Sequence, residues 1–181
     1  EEKRLYIYKG NTPIVEAPTV EMIDMAAESG QPLPAIKSVD TPVKFKGRII
    51  GGCLDTLITL CGTRFDKVKE FTEKYKEDGI IWFIESCDLS MLQIRRALFQ
   101  FKNAGWFNHA SGFIFGRPCH FNETEIGVSA YNAVTSVLGD FDKYIVMDAD
   151  IGHLPPTIPI VSGAIADVTV DDNISIQYIY E

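Results

Sequence analysis

The chain has 181 residues, of which 46% are hydrophobic and 23% are charged, and its formal net charge is −8. This composition is typical of a globular protein of about one domain, and it excludes a chain that is disordered throughout. The acidic charge argues against nucleic acid or an anionic membrane surface as a partner, and no apolar run approaches the roughly 20 residues that a membrane span needs.

Residues 1–43 differ from the rest of the chain because they hold five of its nine prolines. A short strand is predicted over residues 5–8, and a helix is predicted over residues 20–29, where Gly30 ends it. The remainder of this segment is predicted to connect rather than to pack. No secretory signal is apparent at the N-terminus. We therefore expect an interdomain linker or extension over residues 1–43 and a separate unit over residues 44–181.

From residue 44 onward, apolar segments bounded by glycine alternate between strand and helix patterns. Strands are predicted over residues 45–51, 79–85, 112–116, 144–147, 158–161, 164–170 and 174–179. Helices are predicted over residues 54–60, from a cap at Asp88 or Ser90 to about residue 104, and from a cap at Asn122 or Thr124 to residue 138. This alternation, followed by a strand-rich tail, predicts an α/β fold with a mixed sheet.

The four cysteines show no pattern of a metal or redox site. Cys53, Cys61, Cys87 and Cys119 form no C-x-x-C pair, so we interpret them as reduced, mostly buried thiols of a cytoplasmic protein. Cys119 precedes a histidine, but the remaining ligands are too few to favour a metal. The chain has no G-x-G-x-x-G motif and no P-loop, so no nucleotide cofactor is expected. We predict neither a metal nor any other cofactor.

Two residues that could support catalysis follow predicted strands. Glu85 closes the apolar strand over residues 79–85, and His153 follows the strand over residues 144–147, after Gly152. Ligands of open α/β sheets bind beyond the carboxyl ends of the strands. A carboxylate there could orient an imidazole as a general base. From composition alone, a solvated or helix-capping glutamate and a histidine in a surface loop are the simpler interpretations.

Several segments, in their order and spacing, resemble the LD-carboxypeptidase family, which includes muramoyl-tetrapeptide carboxypeptidases and microcin-immunity peptidases. The similar segments are GRIIGGCL at 47–54, LCGT at 60–63, IE at 84–85, IRRAL at 94–98, GFIFG at 112–116, GH at 152–153, PI at 159–160 and GA at 163–164. The resemblance covers about residues 46–170. It implies a two-domain peptidase with a Ser–Glu–His triad, of which this chain resembles the C-terminal domain, a swivelling β/β/α unit, and the linker before it.

The resemblance also implies roles for individual residues. By position, Glu85 would orient His153, and His153 would be the general base. Gly51, Gly52 and Cys53 would belong to a substrate-binding turn, although many family members have Asn at the position of Cys53. The family's nucleophilic serine belongs to the N-terminal domain, and none of the serines in this chain lies in a G-x-S-x-G elbow.

We therefore expect the C-terminal domain of a serine-type LD-carboxypeptidase-like enzyme, which hydrolyses the C-terminal amide of a short, murein-type peptide and is inactive in isolation. One alternative is a microcin-immunity-type hydrolase of peptidyl-nucleotides. The other is a non-catalytic binding or assembly module that kept the fold. The expected partners are a peptide or muropeptide substrate, the nucleophile domain of the same protein, and a second copy in a homodimer.

Overall fold

A mixed sheet of eight strands dominates the part of the chain that a computed structural model describes, which is residues 5–33 and 39–180. The strands are β1 (Tyr6–Lys9), β2 (Thr12–Val15), β3 (Val43–Cys53), β4 (Ile80–Glu85), β5 (Ala110–Gly116), β6 (Thr124–Glu125), β7 (Val128–Ser129), β8 (Tyr144–Ala149), β9 (Ile165–Val170) and β10 (Ile174–Ile179). The helices are α1 (Val20–Ser29), α2 (Leu54–Leu60), α3 (Val68–Lys74), α4 (Met91–Asn103) and α5 (Ala130–Leu138). The predicted α/β class with a mixed sheet is confirmed.

The order of strands in the large sheet brings the ends of the parallel strands to one edge. That order is β10-β9-β3-β4-β5-β8-β1-β2, and β6 and β7 form a separate hairpin. The four central strands β3, β4, β5 and β8 are parallel, and an antiparallel pair flanks them on each side. Because parallel neighbours end at the same edge, Cys53 at the end of β3 pairs directly with Glu85 at the end of β4.

An aromatic cluster forms much of the core beside β4. The rings of Trp82 and Trp106 are stacked with centroids 5.9 Å apart, and Phe101 of α4 stacks on Trp106 at 4.2 Å. Phe107 meets Trp82 edge-on at 5.3 Å. All four side chains are buried. Truncating a core aromatic residue to alanine costs about 3–5 kcal/mol, so this cluster holds α4 and the following loop firmly against the strand that carries Glu85.

The N-terminal segment adds two strands to the sheet. β1 pairs antiparallel with β8, and its Tyr6 and Ile7 are buried in the main core. β2 pairs with β1 at the edge of the sheet, where Pro13 is tolerated. The predicted strand is confirmed, but the expectation that the rest of the segment only connects is wrong for β2. Such short strands are ordered by β8 rather than by their own sequence. The proposed domain division at residue 43 stays a prediction, and Pro34 and Ser38 lie outside the described residues.

The structure differs from the predicted elements in three places. The predicted helix over residues 122–138 begins only at Ala130, because Ile126 and Gly127 have positive φ angles and form the turn of the β6–β7 hairpin. Residues 158–161 do not form a strand, and helix α3 was not predicted. Helix α4 begins where one of its two predicted caps stands, at Ser90.

Across residues 5–33 and 39–180, no helix is both long enough and apolar enough to cross a membrane.

Candidate active site at the strand ends

Glu85 and His153 are joined by a hydrogen bond although 68 residues separate them in the chain. The distance from Glu85 Oε2 to His153 Nδ1 is 2.7 Å. An ionised carboxylate can only accept, so Nδ1 donates, and the distance is typical of a charge-assisted bond. The Glu85 side chain is only 10% exposed, whereas that of His153 is 50% exposed. The arrangement holds a buried carboxylate behind an accessible imidazole.

The surroundings of His153 favour its charged form. The hydrogen bond that His153 donates to Glu85 and the charge of that carboxylate raise the pKa of His153 above its usual value, against an opposing effect of burial. The carboxylates of Asp55 and Asp88 raise it further. When the ring is neutral, the bond to Glu85 keeps the proton on Nδ1 and leaves the lone pair on Nε2. The arrangement can therefore accept a proton at Nε2 and stabilise the resulting imidazolium.

Two glycines make room for Glu85 and for the loop that carries His153. That loop follows β8 and reaches Glu85 across the end of β5, which lies between β8 and β4. A Cβ atom on Gly116, the last residue of β5, would lie 2.4 Å from the carbonyl oxygen of Ile151 and 3.0 Å from the Cβ of Glu85. Gly152 has a φ of +99°, and a Cβ there would lie 2.8 Å from Glu85 Oε2. Larger side chains at either position would separate the pair.

The three residues implied as substrate-binding lie beside this pair. The strand predicted to end at Gly51 continues through Gly52 to Cys53. Gly51 has a φ of +153°, and a Cβ there would lie 1.7 Å from the carbonyl oxygen of Phe83, so only glycine fits. Burial, together with the neighbouring Glu85 carboxylate, raises the pKa of the Cys53 thiol. Their role in binding a substrate stays a prediction.

Asp55 organises the loop after β4, a role that no sequence pattern indicated. Its carboxylate accepts from the Ser86 hydroxyl at 3.1 Å and from the backbone N–H groups of Cys87 at 3.2 Å and Asp88 at 2.7 Å. Burial raises the pKa of Asp55, but these three donors outweigh it and leave that pKa below its usual value. Ser86 is buried and engaged with Asp55, so it is not placed to act as a nucleophile beside Glu85.

The buried carboxylate of Asp148 was also missed. Asp148, near the end of β8, has a φ of +61° and accepts from the Tyr131 hydroxyl at 2.9 Å. Both residues line a cavity of about 510 Å³ between α1 and the ends of β5 and β8, together with Arg117, Ile23 and Leu33. The cavity lies at the same edge of the sheet as Glu85, because β5 and β8 end there. An aspartate directly after a buried apolar strand was the signal available in the sequence.

The cysteines are more accessible than predicted. All four are partly exposed rather than mostly buried, and all four are free thiols. Two of them flank α2 and two follow β4 and β5, where loops rather than strands hold them. Within the ranges that the structure describes, no group of three or more His, Cys, Asp or Glu side chains is arranged to hold a metal ion.

Comparison of the sequence with protein families gives a match over most of the chain. The model of the LD-carboxypeptidase C-terminal domain matches residues 46–168. This range contains Glu85, His153 and the Gly51-Gly52-Cys53 segment, and it excludes the strands β1, β2 and β10. No curated protein sequence matches the chain significantly.

Solved structures of similar fold include proteins of two groups. The muramoyltetrapeptide carboxypeptidase of Oxalobacter formigenes superposes with a TM-score of 0.56 at 18% identity, over 76% of this chain and 48% of that one. The microcin C7 self-immunity protein MccF superposes with a TM-score of 0.59 at 23% identity, over 99% and 52%. An MccF-like protein of Bacillus anthracis gives 0.58 at 21%, over 93% and 51%. The chain thus spans about half the length of these proteins, and the likeness shows a shared fold.

Proposed function

Because this chain belongs to the family of the LD-carboxypeptidase C-terminal domain, we propose that it supplies the Glu–His half of a serine-type carboxypeptidase active site. The observation that carries the proposal is the 2.7 Å bond between Glu85 Oε2 and His153 Nδ1 at the edge where the parallel strands end. The proposed substrate is a short, murein-type peptide, and the proposed reaction is hydrolysis of its C-terminal amide bond. Substrate contacts are assigned to Gly51, Gly52 and Cys53.

In this proposal His153 acts as the base. Its Nε2 takes the proton of a serine hydroxyl, so that the oxygen can attack the amide carbon, and later returns the proton to the leaving amine. Glu85 holds the ring by Nδ1 and stabilises the imidazolium that forms in between. The serine is assigned to a nucleophile domain of the same protein outside these 181 residues. Hydrolysis requires the serine and its oxyanion donors as well as the base, so the isolated chain should not turn over peptides.

The experiment uses the complete protein, the Glu85→Gln and His153→Gln variants, and a matched control. The control is His109→Gln, because His109 Nε2 also meets a carboxylate, Glu73 Oε2, at 3.0 Å but lies directly before β5, at the opposite edge of the sheet. Loss of a positioned general base lowers the rate by about 10²–10⁴-fold, so His153→Gln should lower the kcat for release of D-alanine from a murein tetrapeptide by that factor. The control should keep wild-type turnover. Unchanged kcat in His153→Gln would refute the assignment.

The isolated chain tests where the nucleophile lies. We expect no release of D-alanine by the 181-residue chain alone. Turnover that disappears in Glu85→Ala and His153→Ala would mean that a serine of this chain is the nucleophile. Turnover that survives both changes would mean that the chemistry lies elsewhere in the chain.

The microcin-immunity alternative also has an observation in its favour. Structures of MccF superpose on 95–99% of this chain, whereas the Oxalobacter formigenes carboxypeptidase superposes on 76%. The complete protein should therefore be assayed with a murein tetrapeptide and with a peptidyl-nucleotide side by side. A higher kcat/KM for the peptidyl-nucleotide would favour this alternative, and no hydrolysis of either would favour a non-catalytic module. The homodimer and the cytoplasmic location stay predictions.

A further inference from the structure

The sulfur atoms of two cysteines are in contact beside the Glu85–His153 pair. Cys119 Sγ lies 3.8 Å from Cys87 Sγ. Cys87 is in the loop after β4, two residues beyond Glu85, and Cys119 is in the segment after β5. All four cysteines fall within residues 39–180, and this is the pair whose sulfurs touch. We propose that Cys87 and Cys119 are an oxidation site, where a reversible disulfide cross-links the loops that follow β4 and β5.

The geometry requires only a local adjustment. A disulfide has its sulfurs about 2.05 Å apart, so the two atoms must approach by about 1.7 Å. Both residues lie in loops and are partly exposed, so their side chains can rotate and an oxidant can reach them. The backbone N–H of Cys87 is fixed by its bond to Asp55 Oδ2. Most of the approach therefore falls on the segment around Cys119.

The environment decides which sulfur reacts first. The contact with Cys119, burial and the charge of Asp88 raise the pKa of the Cys87 thiol to about 12. Cys87 therefore stays protonated at neutral pH, and a thiol in that form is a poor nucleophile. We assign the first attack to Cys119 because its segment is the one free to approach, whereas the backbone of Cys87 is held by Asp55. The reaction needs an added oxidant rather than simple proximity.

The oxidant is a small-molecule disulfide such as oxidised glutathione. The Cys119 thiolate attacks one sulfur of the oxidant, breaks its S–S bond and releases the first small thiolate. Cys87 then loses its proton and attacks the Cys119 sulfur of the mixed disulfide, which releases the second small thiolate. The two protein thiols lose two protons and two electrons, and the oxidant is reduced to two small thiols.

The cross-link would couple to both members of the Glu85–His153 pair. Arg117, two residues before Cys119, donates from Nη2 to the carbonyl oxygen of Pro155 at 3.3 Å, two residues after His153. On the other side, Cys87 shares its short loop with the end of β4, where Glu85 stands. Movement of either loop should therefore alter the geometry of the hydrogen bond between Glu85 and His153. As regulation of the proposed active site, this coupling rests on the proposed function, whereas the disulfide itself does not.

The test treats the reduced chain with millimolar oxidised glutathione and maps the peptides by mass spectrometry. We expect the wild type to lose two hydrogen atoms, to show a peptide joined through Cys87 and Cys119, and to recover four free thiols with dithiothreitol. Cys119→Ser should lose the cross-link, and Cys87→Ser should trap a glutathione adduct on Cys119. The matched controls Cys53→Ser and Cys61→Ser should keep the cross-link. Glutathione adducts without an internal cross-link, or disulfide-linked dimers, would overturn the proposal.

A second readout tests the coupling to His153. The proton resonance of the His153 Cε1–H group should shift on oxidation in the wild type and stay in place in Cys87→Ser and Cys119→Ser. An unshifted resonance in a fully cross-linked sample would refute the coupling. Neither measurement depends on turnover, so a negative result here leaves the test of the peptidase function intact, and loss of the peptidase function leaves the disulfide intact.

Discussion

Replacing Gly152 by alanine should both destabilise the fold and separate Glu85 from His153. Alanine at a φ of +99° suffers the strain of the left-handed region, about 1–2 kcal/mol. Its Cβ would also lie 2.8 Å from Glu85 Cβ and Oε2, where ordinary contacts are 3.4–4 Å. Such overpacking costs about 1–3 kcal/mol. The free energy of unfolding should therefore fall by about 2–5 kcal/mol.

Gly163→Ala is the matched control for this prediction. Gly163 has a similar φ of +88°, but no atom lies within 4 Å of the Cβ that alanine would add. The control should therefore lose only the strain energy, about 1–2 kcal/mol. Urea unfolding followed by circular dichroism measures both free energies. An NMR titration should show that the pKa of His153 falls toward its ordinary value in Gly152→Ala and keeps its raised value in Gly163→Ala.

Two results for these variants would contradict the prediction. If Gly152→Ala and Gly163→Ala lower the free energy of unfolding equally, the close contact of the new Cβ with Glu85 does not destabilise the fold. If the pKa of His153 also stays raised in Gly152→Ala, the loop adjusts without moving the carboxylate. Together these results would refute the conclusion that Gly152 is needed to seat Glu85 against His153.

Other parts of the site and core lead to further predictions. Asp55→Ala removes the acceptor of two backbone N–H groups after β4 and should lower the free energy of unfolding by about 1–3 kcal/mol; a loss no larger than that of the exposed Asp172→Ala would contradict this. Burial raises the pKa of Asp66, but hydrogen bonds, including one from Trp106 Nε1 at 2.9 Å, lower it overall. Trp106→Phe should raise that pKa, so acid unfolding, which begins as pH falls through it, should start at higher pH. Conversely, the raised pKa of His153 stabilises the fold fully at pH values below the pKa of this histidine in the unfolded chain, and this stabilisation should disappear as pH rises through its pKa in the folded chain. The difference between the pH–stability profiles of the wild type and His153→Gln should show this loss.

The pairing of Glu85 with His153 was expected from the resemblance to the LD-carboxypeptidase family, and the strand pattern is consistent with it. A buried apolar run indicates a parallel strand, and parallel strands end at one edge. The order of those strands was not available from the sequence, since β5 lies between β4 and β8 and no local pattern says so. The need for glycine at Gly116, where the loop crosses β5, was hidden for the same reason.

The residues that were missed act through partners distant in the chain. Asp55 accepts from N–H groups more than thirty residues away, and an aspartate in the first turn of a helix looks like an ordinary capping residue. β1 is ordered by β8 at the other end of the chain. The β6–β7 hairpin was missed for a local reason. Its turn places Ile126 at a positive φ, which an isoleucine rarely adopts.

The stacking of Trp82 on Trp106 gives this chain an intrinsic spectroscopic probe. These are its only two tryptophans, both are buried, and their rings lie 5.9 Å apart in one cluster. Intrinsic fluorescence and the near-ultraviolet circular dichroism of the indoles therefore report on a single place, the packing of α4 and its following loop on β4. Glu85 stands at the end of that strand, whereas the loop that carries His153 holds no indole. Loosening of the histidine loop would leave the emission unchanged, and disruption of the glutamate strand would alter it.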